Sequence, residues 1–380
     1  MDKKANVYLM YMIAFLQGFV FYGPIATLYR QSRGLSLSDI FLIESISWIL
    51  MILFEIPWGW FADRFGYKKT LVISNFVFFL SKIVFYKAHS FGIFFLERVL
   101  ISVSCAGLSG CDAALLFSSV KPEESQKVFG RYQAFSNGGY LIASLLFSVL
   151  IRQSMDSTVF WTIIPYALAA ALTCFLKDVD TQKEERSGFF RSLKRAFENR
   201  GIILLVISFA LINEAVQAVS VFLNQSQYLR SGIDIGYFGV LAVLMQFVRL
   251  SSARAYQFSI RLGENRALGA LYIAAVLCCI TLVFTSNGAL TVLSVAVLCG
   301  SAAMASPIVL DMQNKSITGG DRATLLSAFA MLGDLIAAGA NVGIGWAADI
   351  STPIAFAVCA GMCVCAFLLL LIYNKAEDTL

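Results

Sequence analysis

Several carboxylates stand where an apolar chain should not tolerate them. Asp334 in "RATLLSAFAMLGDLIAAGANVGIGWAADI" and Glu214 in "GIILLVISFALINEAVQAVSVFL" lie deep inside long apolar runs; Asp112, Glu44, Glu55 and the cation Arg98 lie in others. A charge inside a lipid-facing helix is costly and marks a path for an ion or a substrate. Withdrawal from water favours the protonated form of a carboxyl group, which is the chemistry of proton exchange near neutral pH. Depth ranks the candidates. Asp334 sits about 12 residues into its run, roughly 18 Å at the helical rise, hence near a bilayer midplane. Glu214 is slightly deeper. Glu44 falls near one end of its run, and Glu55 and Asp112 near the other.

Polar side chains recur around these charges at helical spacing. One run presents Arg98, Ser102, Cys105, Ser109 and Asp112; another Gln133, Asn137, Tyr140, Ser144 and Ser148. A third presents Asn213, Gln217, Ser220 and Asn224 beside Glu214, and a fourth Ser327, Asp334 and Asn341. Glu44, Trp48, Met51 and Glu55 share one further face. Such stripes are expected to converge on a central, water-accessible cavity. Lys82 and Arg249, also inside runs, are expected to reach toward opposite membrane faces with their long stems; Glu97 is expected to neutralise its neighbour Arg98.

The elements that must hold these residues follow from composition. The chain has 380 residues, 58% hydrophobic and 14% charged, with mean hydropathy +0.75. Soluble domains average about 25% charged, and one core cannot hide the apolar excess. Runs of about 20 apolar residues, each able to cross a hydrocarbon layer, recur throughout. The expected class is an all-α polytopic membrane protein with twelve spans: 7–29, 39–61, 70–87, 91–117, 130–151, 157–176, 201–223, 235–257, 267–285, 288–310, 322–347 and 352–373. The first run is too long for a signal-peptide core and is expected to be retained. All nine cysteines lie in apolar runs and read as small packing residues; His89 reads as a solvated loop residue.

Basic residues crowd alternate loops. One set holds Lys3, Lys4, Arg64, Lys68, Lys69, Lys121, Lys127, Arg131, the basic stretch from Lys177 to Arg200, Arg254, Arg261, Arg266, Lys315, Arg322 and Lys375; the other holds Arg30, Arg33, Lys87, Arg152 and Arg230. Positive loops stay cytoplasmic, which puts both termini inside the cell membrane. The net charge of +5 is therefore topological and implies no nucleic-acid partner. The polar stretch 177–200 divides a first bundle, 1–176, from a second, 201–380. Its Phe189, Phe190, Leu193 and Phe197 share one helical face, which fits either a helix on the inner membrane surface or a solvated linker. The halves echo each other: "GLSLSDIFLIESI" from Gly34 answers to "GIDIGYFGVLAVL" from Gly232, and "RFGYKK" (64–69) to "RLGENR" (261–266). Duplicated halves with a midplane site between them are a transporter arrangement.

The link after the second span, Gly59-x-x-x-Asp63-Arg64-x-Gly66-x-Lys68-Lys69, resembles the signature between the second and third helices of the major facilitator superfamily, with Tyr67 inserted before the lysine pair. The resemblance implies twelve helices in two six-helix bundles. It also implies that Asp63 docks against the start of the eleventh helix, near Arg322, and latches the cytoplasmic side. The second-half copy has Ile260 for the aspartate and Tyr256 for the first glycine. Arg98 matches an arginine of proton-coupled members, although Ile101 and Ser102 replace the glutamine and glycine that often follow. The fifth span has Gly138-Gly139 but lacks the Gly-Pro element of drug antiporters.

With no G-x-x-x-x-G-K-[ST] motif, ATP-driven pumping by this chain is not expected. The expected activity is non-enzymatic: secondary transport by alternating access, exporting small amphipathic compounds by proton antiport, with uptake or facilitated movement of a metabolite or lipid as the rival. A membrane enzyme would need convergent His/Asp or Ser/Lys groups at one membrane face, and a channel a repeated filter motif; neither pattern is present. No cofactor or metal is expected. The expected partners are the small-molecule substrate, protons and membrane lipid, with the chain a monomer.

Overall fold

Long apolar runs with few breakers have one outcome in lipid, where each backbone N–H and C=O must be satisfied within its own segment. A computed structural model describes residues 4–121, 124–179, 200–317 and 322–377, and these contain helices and no strand. In chain order the helices are α1 (Lys4–Gln17), α2 (Ala26–Ser32), α3 (Leu37–Phe65), α4 (Tyr67–Lys87), α5 (Phe91–Leu108), α6 (Cys111–Ser118), α7 (Ser125–Leu150) and α8 (Met155–Thr173). The second half holds α9 (Arg200–Gln217), α10 (Asn224–Arg230), α11 (Phe238–Arg249), α12 (Ala255–Leu262), α13 (Glu264–Phe284), α14 (Gly288–Ser316), α15 (Arg322–Ile350) and α16 (Thr352–Glu377). Among the described residues, 11 helical segments are long and apolar enough to cross a membrane, and a shorter apolar helix, Ala5–Gln17, precedes them.

Four expected spans are not continuous α-helices. The first breaks after Gln17 and resumes through a 3-10 turn at Gly23–Ile25, where glycines and Pro24 interrupt the ladder. The groups freed there are met by α8: Thr162 Oγ1 accepts from the Phe21 N–H at 3.1 Å, and the Tyr166 hydroxyl donates to the Gln17 carbonyl at 2.9 Å. The fourth breaks at Ser109–Gly110, where Gly110 has φ +77°. The seventh passes from α9 to α10 through a π-helical turn, Ala218–Leu223, and the eighth from α11 to α12 through a 3-10 turn, Leu250–Arg254.

Packing divides the chain into two compact units. The first comprises residues 1–35, 46–184 and 235–243; the second comprises 36–45, 185–234 and 244–380. The start of α3 therefore packs with second-half helices, and the start of α11 with first-half helices. In the first unit α1 crosses α7 so closely that a Cβ on Gly139 would strike the Phe15 carbonyl oxygen. Val7, Met10, Leu71, Leu115, Leu116 and Leu176 belong to its buried apolar core. Asn6 ties down the chain after α8: its Oδ1 accepts from the Lys177 N–H at 2.8 Å and its Nδ2 donates to the Lys177 carbonyl at 3.0 Å. The face formed by Phe189, Phe190, Leu193 and Phe197 lies outside the described residues.

The internal repeat is written in the backbone. Gly34 and Gly232 open the paired motifs with φ +92° and +73°, and Gly66 and Gly263 close them with φ +91° and +83°. These left-handed positions suit glycine, which has no Cβ to clash.

Candidate functional site

The deepest carboxylates meet inside the second unit. Glu44 on α3 and Glu214 on α9 are buried, at 6% and 2% exposure, and Asn341 on α15 is fully buried. Asp334, also on α15, is half-buried. Asn341 borders Glu214, and the charges of both Glu44 and Asp334 act on it. Glu214 Oε1 and the Asn341 amide are buried together. A buried carboxylate is costly unless it is neutralised or hydrogen-bonded.

Local structure explains the gathering. Glu214 and Gln217 occupy the last turn of α9, just before the π-helical turn, and such turns re-aim side chains at functional positions. Phe222 of that turn packs on Phe41 of α3, ring centroids 5.0 Å apart. Ser45 on α3 donates to the Ala338 carbonyl of α15 at 2.5 Å, which sets Glu44 beside α15. Of the other residues on the α9 stripe, Asn213 is exposed and Gln217 half-buried. Arg249 does not reach for the membrane surface: it donates to Ser220 Oγ of the π turn at 3.2 Å.

The other candidates lie in the first unit. Arg98 Nε donates to Ser47 Oγ at 3.1 Å, and Ser47 shares a 2.8 Å hydrogen bond with Ser102. The break at Gly110 parts Asp112 from the face that carries Arg98. Asp112 instead opens α6, accepting from the Ala113 N–H at 2.6 Å and the Tyr132 hydroxyl at 3.1 Å. On α7, Asn137 is exposed and accepts from Gln133 at 3.2 Å. Tyr140 packs at the first-span break, where a Cβ on Gly23 would lie 3.1 Å from its ring.

Glu97 is fully buried, with Arg30 at 3.9 Å. One expectation for a charged residue does not hold. Lys82 is 3% exposed and donates to the Tyr22 hydroxyl at 3.1 Å, with the Phe78 and Tyr166 rings each 4.7 Å from its nitrogen. Only the Phe78–Lys82 spacing, one helical turn, was visible in sequence; Tyr22 and Tyr166 arrive from other elements.

In the signature segment, Gly66 makes the tight turn from α3 to α4, with the Asp178 carboxylate 3.0 Å from where its Cβ would be. Gly59 lies within α3, and Asp63 and Arg64 are exposed in its last turns. Arg64 stacks over Trp60 and Phe65 at 5.2 and 5.5 Å, and Lys69 reaches the Phe65 ring at 6.0 Å from the first turn of α4, where Lys68 is half-buried.

Comparison with known proteins places this geometry. The Major Facilitator Superfamily model matches residues 7–341. The quinolone resistance protein NorA of Staphylococcus aureus (strain MRSA252) is 25% identical over 231 residues, 56% of this chain and 56% of that protein. Multidrug resistance protein 2 of Bacillus subtilis (strain 168) is 25% identical over 162 residues, 40% of each. The chain spans about half the length of these curated relatives. Among solved structures, the nucleoside transporter NupG (D323A mutant) superposes with TM-score 0.85 at 14% identity, over 97% of this chain and 99% of that one.

Proposed function

The chain belongs to the Major Facilitator Superfamily, and we propose that it is a secondary transporter that exports small amphipathic compounds in exchange for protons. The observation that carries the proposal is the burial of Glu44 and Glu214 with Asn341, beside half-buried Asp334. A protein that buries carboxylates together must neutralise them, and a proton or a polar substrate group does so only when it reaches them. Exchange of the two at one site, open to each side in turn, is antiport. The match to proteins named for quinolone and multidrug resistance favours export. The apolar surroundings suit amphipathic rather than strongly hydrated compounds.

In this reading 1–176 and 201–380 act as two rocking bundles joined through 177–200, with both termini cytoplasmic and the monomer as the working unit. The same reading assigns Arg98, Asn137, Tyr140, Asp112, Glu44, Glu214, Asn213, Gln217 and Asp334 to the substrate and proton pathway. Gly59, Asp63, Arg64, Gly66, Lys68 and Lys69 form the cytoplasmic latch. The test is a screen of labelled amphipathic compounds in proteoliposomes across an imposed pH gradient, with counterflow measured beside it. Accumulation that collapses with the gradient, together with saturable counterflow, is expected. Uptake in the direction of proton flow would favour the rival, a metabolite importer, a role compatible with a fold that also carries nucleosides.

A further inference from the structure

An acid in the last turn of a helix meets the negative end of that helix's dipole, an unfavourable place unless something else holds it. Asp349 is such a residue, one position from the end of α15 (Arg322–Ile350). Its Oδ1 accepts from the Ser38 backbone N–H at 3.0 Å and its Oδ2 from the Ser38 hydroxyl, at the N-terminus of α3. That terminus already has a cap. Ser36 and Asp39 satisfy each other reciprocally, Ser36 N–H to Asp39 Oδ2 at 3.0 Å and Asp39 N–H to Ser36 Oγ at 3.1 Å, the arrangement of a capping box. Asp349 supplies a second acid from a distant helix to a donor the box leaves free.

The contact heads a seam. Opposite Phe41 lies Gly345, where a Cβ would stand 2.7 Å from Phe41 Cβ and 3.1 Å from Ser38 Cα. One turn further, Ser45 bonds the Ala338 carbonyl. The pairs 38/349, 41/345 and 45/338 run antiparallel, with Phe41, Ser45 and Gly345 buried. Glu44 and Asn341 lie between the second and the last rung. The first two rungs, 38/349 and 41/345, therefore lie between the Glu44–Glu214 cluster and the membrane face at which α3 begins.

We propose that Asp349 is a clasp that holds this seam shut, closing the outer face of the path while the other face is open. The proposal rests on the alternating-access reading above. Asp63 stands in the mirrored place: it too is an acid in the last turns of its own helix, α3, at the opposite membrane face. One helix pair thus carries an acid for each closed state. Asp349 is exposed, so water and salt weaken the clasp; it tips a near-balanced equilibrium rather than locking it.

The test is labelling of Ser45→Cys, in a chain whose exposed Cys174 and Cys365 are serine, by a membrane-impermeant maleimide added to intact cells. Without further change the buried thiol reacts slowly. Asp349→Asn is expected to speed labelling about 2- to 30-fold, the range of a helix-terminus charge. Gly345→Ala, which wedges the seam, is expected to do the same, and Asp349→Glu, which keeps the charge, to stay nearer the parent. The thermal transition in detergent identifies any variant that has merely unfolded, and Gly345→Ala and Asp349→Glu then still decide. Parent-like labelling of Asp349→Asn beside fast labelling of Gly345→Ala would overturn the clasp, and acceleration confined to inverted vesicles would overturn its assignment to the outer face. No substrate is needed, so a transport screen that finds no proton coupling leaves the labelling outcome separately readable.

Discussion

Lys82 carries its charge into a site built for an ammonium: three aromatic rings at 4.7–5.7 Å, the Tyr22 hydroxyl, and Glu97 within electrostatic reach. Each ring face offers negative potential, and the attraction grows when water is excluded. Glu97 in turn lies between this group and Arg30. Removing one partner of a buried charge set leaves the others uncompensated, at about 3–5 kcal/mol. Lys82→Ala is therefore expected to lower the stability of the protein in detergent by about 3 kcal/mol, read by chemical denaturation. Lys82→Arg is expected to rescue little, because a planar guanidinium does not fit a cage shaped for a compact cation. Lys87→Ala, on an exposed lysine over one ring, is expected to cost under about 0.5 kcal/mol. Equal losses at Lys82 and Lys87 would show that the cage carries no special energy. Spacing along one helix points Lys82 to the membrane surface; the cage assembles from three elements, and only tertiary packing reveals it.

At the scale of elements, the α3–α4 link was legible because its chemistry is local. A glycine at positive φ, an acid and a lysine pair close together in sequence, from Asp63 to Lys69, need no distant partner to be recognised. The same holds for the repeat, whose glycine pairs share one backbone conformation across the halves. Helix continuity was less legible. Gly18, Gly110 and the π turn end or distort helices inside uniformly apolar runs, where hydropathy registers no change, and the break at Gly110 is what removes Asp112 from the face of Arg98. Asp63 belongs to this scale. Its place in the last turns of α3 disfavours its own helix by about 0.3–1 kcal/mol, so the residue is better explained by a partner outside that helix. Asp63→Asn is expected to shift the balance of facing states severalfold away from the outward-open one. Cysteine accessibility from the cytoplasmic side reads that shift, and unchanged accessibility with unchanged transport would reject the latch.

For the whole molecule, composition sufficed for the class, an all-helical chain with many apolar helices, since that is a property of long stretches that survives local error. The site was legible in part. Glu44, Glu214 and Asp334 stood out because a charge in an apolar run is conspicuous in any alignment of helices. Their meeting with Asn341, and the parting of Asp112 from Arg98, depend on crossings and breaks that no periodicity encodes.

Proton coupling through the buried carboxylates is tested most directly in proteoliposomes carrying Glu214→Gln or Asp334→Asn. Two rates are compared: accumulation driven by an imposed pH gradient, and counterflow with no gradient. A residue that carries the proton is needed for the first and not for the second, because exchange can proceed with the site held neutral. At least one variant is expected to lose accumulation to the level of protein-free vesicles while keeping counterflow near the parent rate. Both variants concentrating substrate as the parent does would contradict proton coupling at this cluster.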